Sequence, residues 1–158
     1  MEKAKGVLEV RKEEEERVSN LCIEPHRAGE EPSFYESFAI KGITVQEIKP
    51  GYVSCTFTVP PRLTDSSGKL SNGGIANLID ELGGVAVQAD GRPLKVSVDM
   101  SISYLSPAKA YDEVEIVSRI LGHKGGYSGT EVILKNRRTG EIIAQGRHSL
   151  FGRLKAKI

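Results

Sequence analysis

The feature that most constrains this chain is its one long apolar helical run, Gly73 to Ala89. Ile75, Ala76, Leu78, Ile79, Leu82, Val85 and Ala86 spread around most sides of a 3.6-residue helix, leaving little surface for water. Such a helix has to be enclosed by other elements, and its neighbours in sequence supply them. Ahead of it, Ile43, Val45 and Ile48 lead through Pro50-Gly51 into Tyr52 to Val59, which predicts a hairpin. Behind it, Lys95 to Leu105 alternates, with Val96, Val98, Met100, Ile102 and Tyr104 on one face and Ser97, Asp99, Ser101 and Ser103 on the other. Glu113 to Leu121, Tyr127 to Asn136 and Glu141 to Phe151 continue as strands, the last two joined at Arg138-Thr139-Gly140. This order predicts an α+β domain: an antiparallel sheet of five to six strands wrapped around one long central helix.

The remainder of the chain is subordinate to that domain. Residues 1 to about 21 carry helical spacing (Val7, Val10, Val18, Leu21) among many charges, which predicts a surface helix. Residues 22–33, with Pro25, Gly29 and Pro32, read as a connector, and a short helix is expected over Phe34 to Phe38. The expected division is therefore a helical extension with its connector over 1–33 and the domain over 34–158. A total of 158 residues suits one core that needs no staples.

Charge and cysteine content narrow the function. A net charge of +1 gives no basic field for a nucleic acid, and no apolar run approaches the roughly 18 residues of a membrane span. Cys22 and Cys55 match no zinc spacing. Cys55, inside Val53-Ser54-Cys55-Thr56-Phe57, is expected to be a small buried hydrophobe, and two isolated thiols point to a reducing compartment. His26, His123 and His148 are scattered without ligand spacing, so neither metal nor cofactor is implied; His148 is expected on the sheet face or edge. The acidic run Glu13 to Glu16 fits neither a secretory nor a transit peptide, so a cytoplasmic location is expected. The alternative is peroxisomal, because Ala156-Lys157-Ile158 loosely resembles that address.

The chemistry concentrates where the polar loop meets the apolar helix, at Ser71-Asn72-Gly73-Gly74. Glycines admit close approach, and the first N–H groups of a helix lack internal partners, which suits an oxyanion. The plainer reading makes Asn72 an N-cap, and both can hold at once. Asp80 follows Gly73 by about two turns on a mostly apolar helix. Its carboxylate must be desolvated, paired or at a cavity; desolvation would make it a better base, whereas the plain alternative is an exposed acid beside a basic neighbour, as Glu81 is expected to be. Gly122-His123-Lys124-Gly125-Gly126-Tyr127 is either a flexible turn or a backbone-and-lysine approach to phosphates.

Three stretches in order, Asn72 to Asp80, Val96 to Lys109 and Ile143 to His148, resemble the hot dog thioesterases of the PaaI-like group. The resemblance covers roughly residues 40–152. It implies an acyl-CoA thioesterase acting as a dimer or a dimer of dimers, with active sites at the subunit interface and a place in fatty acid metabolism. It implies that the Gly73 N–H, with Gly74, polarises the thioester carbonyl, that Asp80 from the partner subunit activates water, and that Ser97 orients that water. It further implies CoA contacts at Gly74, Ser97, Tyr104, Leu105, Ser106, Pro107, Ala108 and Lys109, and along Gly122, His123, Lys124, Gly125, Gly126 and Tyr127. The family carries His before the two glycines where this chain has Asn72, and an amide cannot take up a proton. In the preceding loop, Asp65 or Ser66 stands where relatives carry a polar Asn. These departures keep two alternatives open: a non-catalytic acyl-CoA or acyl-carrier-protein binding module, and a hot dog dehydratase or hydratase on enoyl thioesters.

Overall fold

The computed structural model describes residues 2–27, 31–93 and 95–152. The Ala156-Lys157-Ile158 tail lies outside them. The chain divides into two compact units, Met1–Phe34 and Tyr35–Ile158. In the first, the single expected helix is two, α1 (Glu2–Leu8) and α2 (Lys12–Ser19), interrupted around Arg11, whose extended backbone caps α2. Neither helix is long: Gly6 lowers propensity in α1, and α2 buries no residue that packing could use to extend it. A third helix, α3 (Phe34–Ile40), runs two residues past the expected one.

The second unit forms the expected hot dog arrangement. Six antiparallel strands, β1 (Ile43–Lys49), β2 (Tyr52–Thr58), β3 (Val96–Tyr104), β4 (Glu113–Lys124), β5 (Tyr127–Asn136) and β6 (Ile142–Phe151), make one sheet in the order β1-β2-β4-β5-β6-β3. The single long helix α4 (Asn72–Ala89) touches β2 to β6. Its enclosure follows from composition: Leu78 and Ile79 are fully buried against Val53 and Phe57 of β2, Ile116 of β4, Leu134 of β5 and Ile143 of β6. Each such side chain contributes about 1.5–3 kcal/mol of burial. Cys55 is buried in the same core, and burial pushes its thiol pKa up, so it behaves as the small hydrophobe its strand suggests.

Two glycines set how deeply α4 sits on β6. A Cβ on Gly146 would meet the Ile79 side chain at 2.6 Å, and a Cβ on Gly83 would meet His148 Nδ1 at 2.5 Å. A helix residue fills a strand glycine, and a strand residue fills a helix glycine. The seat is therefore fixed in both directions. At the far edge, β3 pairs with β6 only and is exposed along most of its length, with Val98 and Val96 half or more open to solvent. No helix among the described residues is long and apolar enough to cross a membrane.

Candidate functional site

The start of α4 differs from expectation in one respect that matters. Ser71, not Asn72, is the N-cap; its backbone is extended and its Oγ accepts the Gly74 N–H at 3.1 Å. Asn72 is instead the first residue of the helix. Serine wins because its short hydroxyl reaches the third N–H, the standard capping bond. The consequence is chemical. Gly74 gives its N–H to the cap and is packed against Leu63 O and Leu70, so it is not available to a ligand. Gly73 remains exposed, its N–H meets no acceptor among the described residues, and nothing lies within 4 Å of the position a Cβ would take. Asn72 is likewise exposed, and its carbonyl accepts a long 3.5 Å bond from the Tyr104 hydroxyl.

Two turns further along, Asp80 is a hub. Ser97, at the start of β3, donates its hydroxyl to Asp80 Oδ1 at 2.6 Å. His148, on β6, brings Nε2 to 3.2 Å from the same oxygen. That contact is a close approach without a hydrogen bond: neither His148 ring nitrogen reaches hydrogen-bond geometry with a described residue. The side chain of His148 is fully buried while that of Asp80 is 41% exposed, so the carboxylate faces inward with one oxygen and outward with the other. Burial pushes the His148 pKa below its ordinary value, against the pull of Asp80 and Asp99, which keeps the imidazole neutral at pH 7. His148 is the site neighbour that sequence reasoning missed. It does lie on a sheet face, but on the inner one, and the inward series Ala144, Gly146, His148, Leu150 carried the signal. Glu81 also departs from expectation. It is half-buried with no basic partner among the described residues, and burial, Glu36 and Asp80 raise its pKa to about 7.

The remaining predicted residues fall into two groups. Tyr104 to Lys109 leaves β3 pinned to β6: Leu105 and Ser106 donate backbone N–H groups to Ile143 O, and the Ser106 hydroxyl donates to Ile142 O. Ala108 is buried; Leu105, Pro107 and Lys109 are exposed. Gly122 to Tyr127 forms the tip of the β4–β5 hairpin, with Lys124 and Gly125 open to solvent. His123 is not open there: both its ring nitrogens are engaged within the chain, with Ser128 and Asp90. In the preceding loop, Asp65 Oδ1 accepts from Ser67 N, Ser67 Oγ and Lys69 N. Those bonds, that of the Ser67 hydroxyl foremost, hold its carboxyl below the usual range and spend it on its own turn. Among the described residues no three His, Cys, Asp or Glu side chains converge as metal ligands.

A sheet packed on one helix, an open glycine N–H at the helix start and an anchored carboxylate at its middle are consistent with the resemblance to hot dog thioesterases. Comparison with known proteins agrees. The sequence model of the thioesterase superfamily matches residues 67–143. Human acyl-coenzyme A thioesterase 13 is 38% identical over 108 residues, covering 68% of this chain and 77% of the human protein. The crystal structure of zebra fish thioesterase superfamily member 2 superimposes with a TM-score of 0.71 at 31% identity, covering 78% of this chain and 90% of that one. The Mus musculus thioesterase superfamily member 2 structure gives 0.67 at 35%, covering 71% and 83%. The chain belongs to the thioesterase superfamily.

Proposed function

We propose that the protein hydrolyses acyl-CoA thioesters through Asp80, in a site shared by two copies of the chain. The observation that carries the reading is the state of Asp80. Ser97 holds Oδ1 by a hydrogen bond and His148 packs against it, which leaves Oδ2, with no partner among the described residues, open to solvent. A carboxylate fixed through one oxygen can take a proton through the other. Water attacks the thioester carbonyl carbon as its proton passes to Asp80. The tetrahedral oxyanion is held by the Gly73 N–H at the positive end of α4. Collapse breaks the C–S bond, and the CoA sulfur leaves with the proton that Asp80 held. Ser97 orients the carboxylate, and neutral His148 packs against it without adding a charge. The identity of the relatives, named as acyl-CoA thioesterases, supports CoA as the leaving group.

Helix geometry supports sharing between copies. Gly73 and Asp80 are seven residues apart, about 10 Å along the axis at 1.5 Å per residue. One thioester carbonyl cannot touch both in one chain. Two copies joined along the exposed edge of β3 would bring Gly73 of one to Asp80 of the other, and would cover an unpaired edge that is otherwise a liability. The hairpin tip at Gly122–Tyr127 and the Tyr104–Lys109 segment hold the CoA moiety in this reading.

The test is free-thiol release from short, long and aromatic acyl-CoAs by wild type, Asp80→Asn, Gly73→Val, and the two variants co-expressed. Valine at 73 meets open space in the fold but fills the room a carbonyl needs. Each variant alone is expected to be nearly inactive, while random pairing restores one intact site in mixed dimers, about a quarter of wild-type activity. Activity surviving in Asp80→Asn alone sinks the aspartate mechanism. Two dead variants with no recovery on mixing sink the shared site. A folded wild type that binds CoA but releases no thiol from any substrate is a binding module.

A further inference from the structure

A second cluster surrounds the hairpin tip. Asp90 caps the C-terminus of α4, and its Oδ2 lies 2.9 Å from His123 Nε2. His123 Nδ1 lies 2.7 Å from Ser128 Oγ. Lys95 Nζ donates to that same Ser128 Oγ at 2.7 Å and to the Gly126 carbonyl at 2.7 Å. One neutral tautomer satisfies the whole series: Lys95 donates to Ser128, Ser128 to Nδ1, and Nε2–H to Asp90. Ser128 is 1% exposed and Lys95 8%. No described carboxylate lies within ion-pair distance of Lys95, so a buried cation is held by a carbonyl and a hydroxyl alone. A buried charge without a counter-ion is expensive, and burial together with Arg92 lowers the ammonium pKa.

The tip is tied elsewhere too. Gly126 O accepts a second bond from Gly152 N at 3.1 Å, and a Cβ on Gly126 would meet Gly152 O at 2.5 Å. The Tyr127 and Phe151 rings pack at a tilt of 51° with centroids 4.9 Å apart. A short hairpin tip rich in glycine would ordinarily be among the mobile parts of a domain. Here it is fastened to the end of α4, to the residue before β3 and to the end of β6.

We infer that Lys95 is a positioning residue for CoA recognition: through Ser128 and Gly126 it locks the β4–β5 hairpin in the shape that receives the nucleotide phosphates. The inference rests on the reading that this hairpin holds CoA. With the tip already ordered, its conformational entropy is not lost again on binding, and Lys124 and the Gly125–Gly126 backbone meet the phosphates in a fixed arrangement. Arg92, Lys95 and Lys124 together outweigh Asp90 in charge, so the same lock leaves the neighbourhood positive. Lys95 touches neither the thioester nor the water.

The experiment compares wild type with Lys95→Met on decanoyl-CoA and on decanoyl-pantetheine, which keeps the thioester and lacks the nucleotide. Amide exchange over residues 122–128 is followed in the same proteins. The expected result is a KM for decanoyl-CoA raised about tenfold, kcat within about twofold, an unchanged KM for decanoyl-pantetheine, and faster exchange at the tip. Ser128→Ala, cutting the lock at its middle, is expected to do the same and serves if Lys95→Met does not fold. Faster exchange with an unchanged KM overturns the inference and the CoA reading of the hairpin together. Unchanged exchange overturns the lock alone and leaves the hairpin's role standing. An equal loss on both substrates makes Lys95 a support of the reacting end and overturns its role in CoA recognition.

Discussion

Two clusters of aspartate, histidine and serine are built on α4, one at its middle and one at its C-cap. At the middle, Asp80 is the hub, facing Ser97 and His148 with one oxygen while the side chain stays 41% exposed. At the C-cap, His123 is the hub, between Asp90 and a Ser128 that is sealed from solvent and already accepts from Lys95. The His123 cluster has more of the form of a nucleophile's relay, yet its serine cannot be reached. The Asp80 cluster has no relay, yet its carboxylate is anchored and open. Residue types and short distances do not make a reactive centre; access to the reacting atom does.

The two clusters separate most widely in kinetics. Asp80→Asn is expected to lower kcat on the order of 10³-fold, with Tm unchanged, because the amide keeps the size and loses the base. Disturbing the C-cap cluster at Lys95 should move KM and leave kcat. If the two signatures were exchanged, the roles of the clusters would be too.

The next largest effect is expected at Gly83→Ala, under the Asp80 cluster. Alanine normally stabilises a helix interior by about 1 kcal/mol over glycine. At Gly83, however, the new methyl would lie 2.5 Å from His148 Nδ1 and 2.9 Å from Thr130 Oγ1. Overpacking costs about 1–3 kcal/mol, so the net sign should be a loss, with lower kcat as His148 is driven off Asp80. Gly84→Ala, with nothing within 4 Å, is the matched control and should keep the gain. Thermal melts of both variants decide it. Equal stabilisation by the two would mean that α4 is not seated on His148.

These residues also show how far the sequence carries. The buried helix, the hairpin at Pro50-Gly51 and the strand order were legible because each has its own local period. Asp80 was legible because a carboxylate on an apolar helix is an anomaly in one dimension. Ser97 entered through family resemblance alone; an alternating strand gives no reason to choose it over Ser101. The choice of Ser71 over Asn72 as cap turns on a single hydrogen bond. His148 was visible as a histidine, but its partner lies on another element. The Lys95 lock had no local signature, since its bonds join residues 31 and 33 positions apart and depend on how three elements pack.

A smaller effect separates the clusters by pH. Glu81, beside Asp80, has its pKa raised from 4.5 to about 7, first by burial and then by Glu36 and Asp80. A carboxyl whose pKa rises on folding stabilises the fold only while protonated. Its contribution is complete below about pH 4.5 and is lost as pH climbs to about 7. Because the group is near half exposure, solvent screening holds the effect to about 1 kcal/mol or less. Glu81→Gln should therefore match wild type at pH 4.5 and exceed it at pH 8 in urea midpoint. A gain that did not depend on pH would point to packing and not to charge.

The smallest expected change is at Asn72, where the family resemblance implies histidine. Asn72 is exposed, its carbonyl rather than its amide is engaged, and the cap belongs to Ser71. Substitution there disturbs no side-chain bond among the described residues, so Asn72→His should fold as wild type. An imidazolium at the positive end of α4 is disfavoured, which keeps the new histidine neutral and able to donate a hydrogen bond near the oxyanion. Activity is then expected to hold or to rise by no more than about threefold, a fraction of a kcal/mol. A bell-shaped pH profile appearing only in the variant would show that the position can transfer protons and that this chain works without that step. A large loss would mean that the asparagine supports a geometry at Gly73 that imidazole cannot, and that the open N–H depends on it.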